Sequence, residues 1–266
     1  MSNSTAKNKA STNNHSNSRG KVFVVGTGPG NIDQLTPLAV DAIKKSTSIV
    51  GYNRYVDLIA ELIEDQKLYA SGMMEEIDRC KKALELARNG ETVTVVSSGD
   101  PGIYGMAGLV LELNKNEQLE VEIIPGISAV NAASSLLGAP LSHDFAVISL
   151  SDLLTPWKII EKRIECAAGG DFVIAIYNPK SKRRVSQIIS TRDIVKKYRS
   201  QTTPVGIVTN AFREKQSIVI SNLNDFADEE INMLSVVIIG NSQTVFHENR
   251  LITPRGYQNK YAKTFT

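Results

Sequence analysis

The eight residues Ser98-Gly99-Asp100-Pro101-Gly102-Ile103-Tyr104-Gly105 constrain the fold more than any other stretch of this chain. The apolar run Thr92–Val96 leads into them, and Met106–Leu113 reads as a helix leaving them. A strand that ends in a glycine-rich turn opens a crevice at the carboxyl edge of a sheet, a common ligand position in α/β proteins. A second such turn, Gly26-Thr27-Gly28-Pro29-Gly30, follows Val22–Val25, and a third, Pro125-Gly126-Ile127-Ser128-Ala129, follows Val121–Ile124. Three small-residue turns after three predicted strands point to one shared site.

Strands and helices alternate from Lys21 onward, which predicts an α/β fold. Val22–Val25 is wholly apolar, as expected of a strand covered on both faces. Thr36 and Pro37 are placed to start a helix over Leu35–Lys44. A strand over Ser48–Gly51 follows, then a helix over Met74–Asn89 with Ile77, Cys80, Leu84 and Ala87 on one face and Gly90 at its end. A small-residue helix is expected over Ser128–Leu137. The pattern breaks near Pro140, His143 and Asp144, so a domain boundary is placed near residue 140, dividing 20–140 from 141–257. Beyond it the reading gives a strand at Ala146–Ser149 and a helix at Trp157–Ala167 begun by Pro156. A strand at Phe172–Tyr177, a basic helix over about 183–199, and strands at 205–209, 217–220 and 235–239 follow. Residues 1–19, rich in Ser, Asn, Thr and Lys, predict a disordered tail without the apolar segment of a secretory signal. Residues 258–266 read as a second tail. No internal repeat is evident.

Several chemistries are disfavoured residue by residue. The dinucleotide fingerprint needs a third glycine at position 31, which is Asn31, and an acid about 20 residues further on, where Gly51-Tyr52-Asn53-Arg54 has none. No Walker lysine is present. The formal net charge of +2 does not call for a nucleic-acid partner, and no apolar run approaches the roughly 18–20 residues that cross a bilayer. Cys80 and Cys166, far apart in predicted helices, read as reduced, buried thiols and a cytoplasmic setting. No metal-ligand spacing occurs. Asp100 is ambiguous: between Gly99 and Pro101 it is either an Asx-type turn residue or a ligand-facing carboxylate.

The three turns, followed by Tyr177-Asn178-Pro179, Val208-Thr209-Asn210-Ala211 and Ile239-Gly240-Asn241-Ser242, resemble in order the motifs of the tetrapyrrole methylases. The resemblance covers about 21–257. It implies two α/β domains with S-adenosylmethionine held between them, a small-molecule tetrapyrrole acceptor, and a homodimer. Ser149-Leu150-Ser151-Asp152-Leu153-Leu154-Thr155-Pro156-Trp157, Asn178–Lys182 and Ile252–Tyr257 are similar to one branch of that family. That branch comprises the precorrin-3B or cobalt-precorrin-3 C-17 methyltransferases of cobalamin synthesis, which also contract the ring. Uroporphyrinogen methylases of the family carry an Arg and a Glu where this chain has Met106 and Leu109, which turns the reading away from uroporphyrinogen.

Carried over position by position, the resemblance implies that the methyl donor touches Pro29, Ser98, Gly99, Asp100, Ile103, Ser128, Ala129, Asn178 and Ala211. Residues 180–199 hold eight Lys or Arg against one acid, Asp193. Those following the strand end, Lys180, Lys182, Arg183 and Arg184, are candidates for orienting a polycarboxylate, with Arg54 on the other domain. The distal cations read as a solvated helix face. Asp152, His143, Asp144 and Tyr104 are candidate proton carriers, none of them singled out. Any cobalt is expected inside the substrate rather than on the protein. Alternatives are a C-11 or C-20 enzyme or a diphthine synthase of the same fold, or a non-enzymatic tetrapyrrole or nucleic-acid binder using the basic segment.

Overall fold

The computed structural model describes residues 20–261. The tail expected over 1–19 and the last residues of the expected 258–266 tail lie outside the described residues. In the first half β1 (Lys21–Gly26), α1 (Pro37–Lys45), β2 (Ser48–Tyr52), α2 (Asn53–Asp57), β3 (Lys67–Ser71), α3 (Glu76–Arg88), β4 (Thr92–Ser97), α4 (Ala107–Asn114) and β5 (Glu120–Ile124) alternate. The second half begins with α5 (Ala129–Leu137), β6 (Gly138–Ala139), β7 (Phe145–Ser149), α6 (Trp157–Gly169), β8 (Val173–Tyr177) and α7 (Gln187–Val195). It continues through β9 (Pro204–Thr209), β10 (Ser217–Asn222), β11 (Ser235–Ile239), β12 (Val245–His247), β13 (Arg250–Ile252) and α8 (Tyr257–Lys260).

The first sheet is wholly parallel, in the order β3-β2-β4-β1-β5. Side chains alternate across its strands. Val22, Val24, Val93 and Val95 pack under α3 and α4, against Cys80, Leu84 and Val110. Phe23, Val25, Ile49 and Val96 pack under α1, against Ala39 and Ile43. Burial on both faces is why these strands read as unbroken apolar runs. Thr36 caps α1, its hydroxyl accepting from the Ala39 N–H at 3.1 Å, and Pro37 fills the first helical position.

The second sheet is mixed, in the order β10-β9-β11-β8-β7. β7 and β8 run parallel, and β11 runs antiparallel to both β8 and β9. One face packs Ile174, Ile176, Ile207 and Val237 against Ile160, Ile164 and Ile188 of α6 and α7. Trp157 joins that cluster as a packing residue. The other face packs Val173, Ala175, Val208 and Ile238 against Val130, Ala133 and Leu137 of α5. The core therefore changes sheets before Ala129, ahead of the expected boundary at 140. Ser128 caps α5, and Gly138, at φ 120°, ends it and enters a small sheet of β12, β13 and β6.

Three local expectations are corrected. The basic helix over 183–199 is limited to Gln187–Val195, because Lys180–Val185 forms a loop in which the Ser181 N–H reaches back to the Arg184 carbonyl. Ile77 is 54% exposed, since the buried stripe of α3 runs through Cys80, Leu84 and Ala87. Cys166 is exposed, not buried. Among the described residues no helix is long and apolar enough to cross a membrane, and no group of three or more His, Cys, Asp or Glu is placed to hold a metal ion.

Candidate active site

β4, β1 and β5 are neighbours running the same way, so their three turns meet at one edge of the sheet. Glycine permits that approach. A Cβ on Gly26 would lie 2.6 Å from the Gly126 nitrogen, and one on Gly126 would lie 2.2 Å from the Gly99 oxygen. Gly28 and Gly99, at φ 71° and 68°, exchange two backbone hydrogen bonds: the Gly28 N–H to the Gly99 carbonyl at 3.1 Å, and the Gly99 N–H to the Gly28 carbonyl at 2.8 Å. Left-handed backbone of this kind is open to glycine at no steric cost.

Asp100 fastens this arrangement. Its Oδ1 accepts the Gly102 N–H at 2.8 Å, an Asx-type turn, and its Oδ2 accepts the Gly126 N–H at 3.2 Å. Its expected place against the donor is thus joined to a structural role: it ties the turn after β4 to the turn after β5. Each oxygen keeps a further lone pair at a half-buried position.

The second domain closes over the same edge. Asn178, at φ 50°, donates from Nδ2 to the Ser149 hydroxyl at 2.9 Å. The Val130 N–H donates to the Tyr177 hydroxyl at 2.9 Å, placing that ring at the start of α5 beside Ser128. Two side chains hydrogen-bond across the cleft. Tyr104, at φ 53°, donates to the Val147 carbonyl at 3.1 Å and accepts the Ser149 N–H at 3.1 Å, along the β7 edge. In the opposite direction Arg213, in the loop after β9, donates from Nε to the Pro29 carbonyl and from Nη2 to the Ser98 hydroxyl at 2.9 Å. Gly30 allows this, because a Cβ there would lie 2.5 Å from the Phe212 oxygen. Burial pushes the Tyr104 and Tyr177 hydroxyls up and the Arg213 guanidinium down.

The cleft therefore gathers Pro29, Ser98, Gly99, Asp100, Ser128 and Asn178 from the expected donor contacts. Ala211 is two residues from Arg213, and Ile103 is partly exposed on the turn after β4. Lys180, half-buried, and the exposed Lys182 and Arg183 follow β8 at this end, and exposed Arg54 lies on α2 after β2. Arg184 is not a rim cation. It is 8% exposed and donates to the Asn178 carbonyl at 2.8 Å, with Asp152 4.0 Å away. Asp152 also accepts from Gln187 Nε2 at 3.0 Å.

Two proton-carrier candidates are displaced. His143 and Asp144 precede β7, a strand of five residues at about 3.3 Å each, and so sit at the opposite end of the second sheet. They line a polar cavity of about 470 Å³ with Asp171, Asn241 and Arg255, remote from the glycine turns. The Ile239–Ser242 motif goes there too, since β11 runs antiparallel to β8. Its job is structural: Arg199 donates to the Gly240 carbonyl, and Ser242 donates to Asp171 through N–H and hydroxyl. Arg199 is buried, Arg192 pairs with Asp193 and Lys196 donates to Asn224, so the basic segment is not one free cationic stripe. Met106 and Leu109 pack against the core under α3 and α4.

The profile of the Tetrapyrrole (Corrin/Porphyrin) Methylases matches residues 21–227. A cobalt-factor III methyltransferase of Priestia megaterium is 51% identical over 249 residues, 91% of this chain and 46% of that protein. The probable cobalt-factor III C(17)-methyltransferase of Salmonella typhimurium is 48% identical over 236 residues, 88% of this chain and 98% of that protein. The crystal structure of the methyltransferase CobJ matches with a TM-score of 0.84 at 40% identity, covering 88% of this chain and 100% of that one. The chain thus spans about half the length of the first relative and nearly all of the other two. With six motifs in order, two sheets facing one cleft, a family profile over 21–227 and two relatives matched over nearly their whole length, the chain belongs to the tetrapyrrole (corrin/porphyrin) methylase family.

Proposed function

We propose that the chain is an S-adenosylmethionine-dependent C-methyltransferase of cobalamin biosynthesis. In this reading it methylates carbon 17 of a precorrin-3B-level macrocycle, with contraction of the ring. The observation that carries it is the meeting of three glycine turns at one sheet edge under a second domain, in a chain 48% identical to a probable cobalt-factor III C(17)-methyltransferase over 98% of that protein. Cobalt-factor III appears in the names of relatives at 48–51% identity, which favours the cobalt-bearing acceptor, with cobalt entering as part of the substrate.

The residues present fit such a donor. A Cβ on Gly99 would stand 3.6 Å from the Ala129 nitrogen, so that turn lies in ordinary van der Waals contact with the start of α5. Pro29 and Ser98 supply a carbonyl and a hydroxyl beside it, and Ser128 and Ala129 are small. S-adenosylmethionine supplies an electrophilic methyl group on a sulfonium. The chain's own task is alignment, since near-attack geometry alone is worth roughly 7–11 kcal/mol of barrier. The turns fix one reactant, and Lys180, Lys182, Arg183 and Arg54 orient the acid side chains of the other by charge. Of the candidate proton carriers, Asp152 lies at the cleft end of the second sheet and is the one we retain. A cytoplasmic location and a homodimer follow from the family reading and belong to the same proposal.

The test is incubation with S-adenosylmethionine and cobalt-factor III, followed by mass spectrometry. One added methyl group on the macrocycle is expected; an unchanged macrocycle, with S-adenosylhomocysteine also failing to bind in calorimetry, would overturn the reading.

A further inference from the structure

Five arginines among the described residues are buried or half-buried: Arg79, Arg184, Arg192, Arg199 and Arg213. Four have a carboxylate within 4.0 Å: Glu76, Asp152, Asp193 and Asp171 respectively. Arg213 has none among the described residues, although it stands in the cleft where water is partly excluded and its charge is desolvated. A guanidinium taken out of water without a counter-ion is costly, and its field favours an anion.

The geometry says which edge is free. A guanidinium carries five N–H donors in a planar fork. Arg213 uses its side edge, Nε and Nη2, on the Pro29 carbonyl and the Ser98 hydroxyl. These two bonds hold the plane in place from turns 184 and 115 residues away in sequence. The end-on edge, Nη1 with the second hydrogen of Nη2, makes no hydrogen bond or ion pair among the described residues, and the group whose charge acts on Arg213 is the Tyr55 phenol. That edge matches the two oxygens of a carboxylate in bidentate fashion.

We propose that Arg213 receives a carboxylate in the cleft on its Nη1/Nη2 edge, and is pre-oriented for it by Pro29 and Ser98. The inference rests on the methyltransferase reading. Two carboxylates meet there on that reading: the amino-acid end of the donor and the acid side chains of the macrocycle. Both are the same chemistry at this nitrogen pair, and they are separable by experiment.

Calorimetry on the full chain compares S-adenosylhomocysteine with 5′-methylthioadenosine, which lacks the carboxylate, for the unmodified protein, Arg213→Gln and Arg213→Lys. If the donor supplies the carboxylate, Arg213→Gln weakens S-adenosylhomocysteine at least tenfold and leaves methylthioadenosine within twofold. If the macrocycle supplies it, both nucleosides bind as before, and KM for the macrocycle rises at least tenfold with kcat within twofold. Arg213→Lys keeps the charge without the fork and shows the same pattern at smaller size; it decides the matter should Arg213→Gln fail to fold. Equal weakening of both nucleosides, or no change in either nucleoside or in KM, would overturn the proposal. An unmodified protein that binds neither nucleoside overturns the methyltransferase reading itself, a result distinct from these.

Discussion

The Oδ2 of Asp100 accepts the N–H of Gly126 at 3.2 Å, joining the turn after β4 to the turn after β5. With Oδ1 on Gly102, one carboxylate organises two of the three turns that form the floor of the cleft. Asp100→Ala removes both bonds and leaves two N–H groups to find water. Hydrogen bonds to a charged acceptor contribute about 1.5–3 kcal/mol each when buried, so a loss of about 2 kcal/mol is expected at this half-exposed site. Asp100→Asn keeps one acceptor oxygen and should lose about half as much. Urea unfolding of the three proteins measures this, and S-adenosylhomocysteine affinity should fall in the same order. An Asp100→Ala protein of unchanged stability would show that the clamp does not contribute.

Glycine plays opposite parts at two positions. At Gly126 a Cβ would meet the Gly99 oxygen at 2.2 Å and Gly26 backbone at 2.7 Å. Backbone cannot yield as a side chain does, so Gly126→Ala should cost at least about 3 kcal/mol and abolish nucleoside binding. Gly108, exposed within α4, has nothing within 4 Å of its absent Cβ. Gly108→Ala should therefore stabilise by about 0.5–1 kcal/mol through helix propensity, with methyl transfer unchanged. Melting curves for the pair should move in opposite directions.

The parts legible in the sequence were those written in local pattern. β1, β4 and β8 are covered on both faces and so read as apolar runs; Thr36 and Ser128 carry cap chemistry in their own side chains. β3 leaves no apolar run in the sequence because it is an edge strand, Lys67-Leu68-Tyr69-Ala70-Ser71, with Leu68 half exposed. Strand direction is also silent in sequence. The antiparallel run of β11 carries the Ile239–Ser242 motif away from the cleft, and the placing of His143 and Asp144 before β7 puts them at the far end. Arg213 offered no signal beyond a charge next to the Val208–Ala211 motif. Its partners are contributed by the other domain, and only the tertiary approach of Gly30 to Phe212 reveals them.

Tyr104 illustrates a group whose chemistry is decided by its partners. Its hydroxyl donates to the Val147 carbonyl and accepts from Ser149, and burial raises it above the ordinary phenol value of 10.0. It stays protonated at neutral pH, with its donor and one acceptor position taken up along the β7 edge. Tyr104→Phe should cost about 1 kcal/mol and leave the pH profile of kcat unmoved. A hundredfold loss of kcat in a folded Tyr104→Phe protein would return Tyr104 to the list of proton donors.

The two cysteines should respond oppositely to alkylation. Burial pushes the Cys80 thiol from 9.0 up to about 12, while Cys166 lies exposed on α6. Since the thiolate is the nucleophile, iodoacetamide at pH 8 should label Cys166 alone in the native protein and both residues after denaturation. The same shift sets a sign for stability. The native thiol holds its proton where the unfolded thiol has lost it, so its contribution is complete below pH 9 and is lost as pH rises from 9 toward 12. Cys80→Ala should flatten that alkaline decline relative to the unmodified protein, measured by urea unfolding at pH 8 and pH 10. Equal slopes in the two proteins would place the alkaline loss instead on Tyr104 and Tyr177, whose hydroxyls are also raised by desolvation.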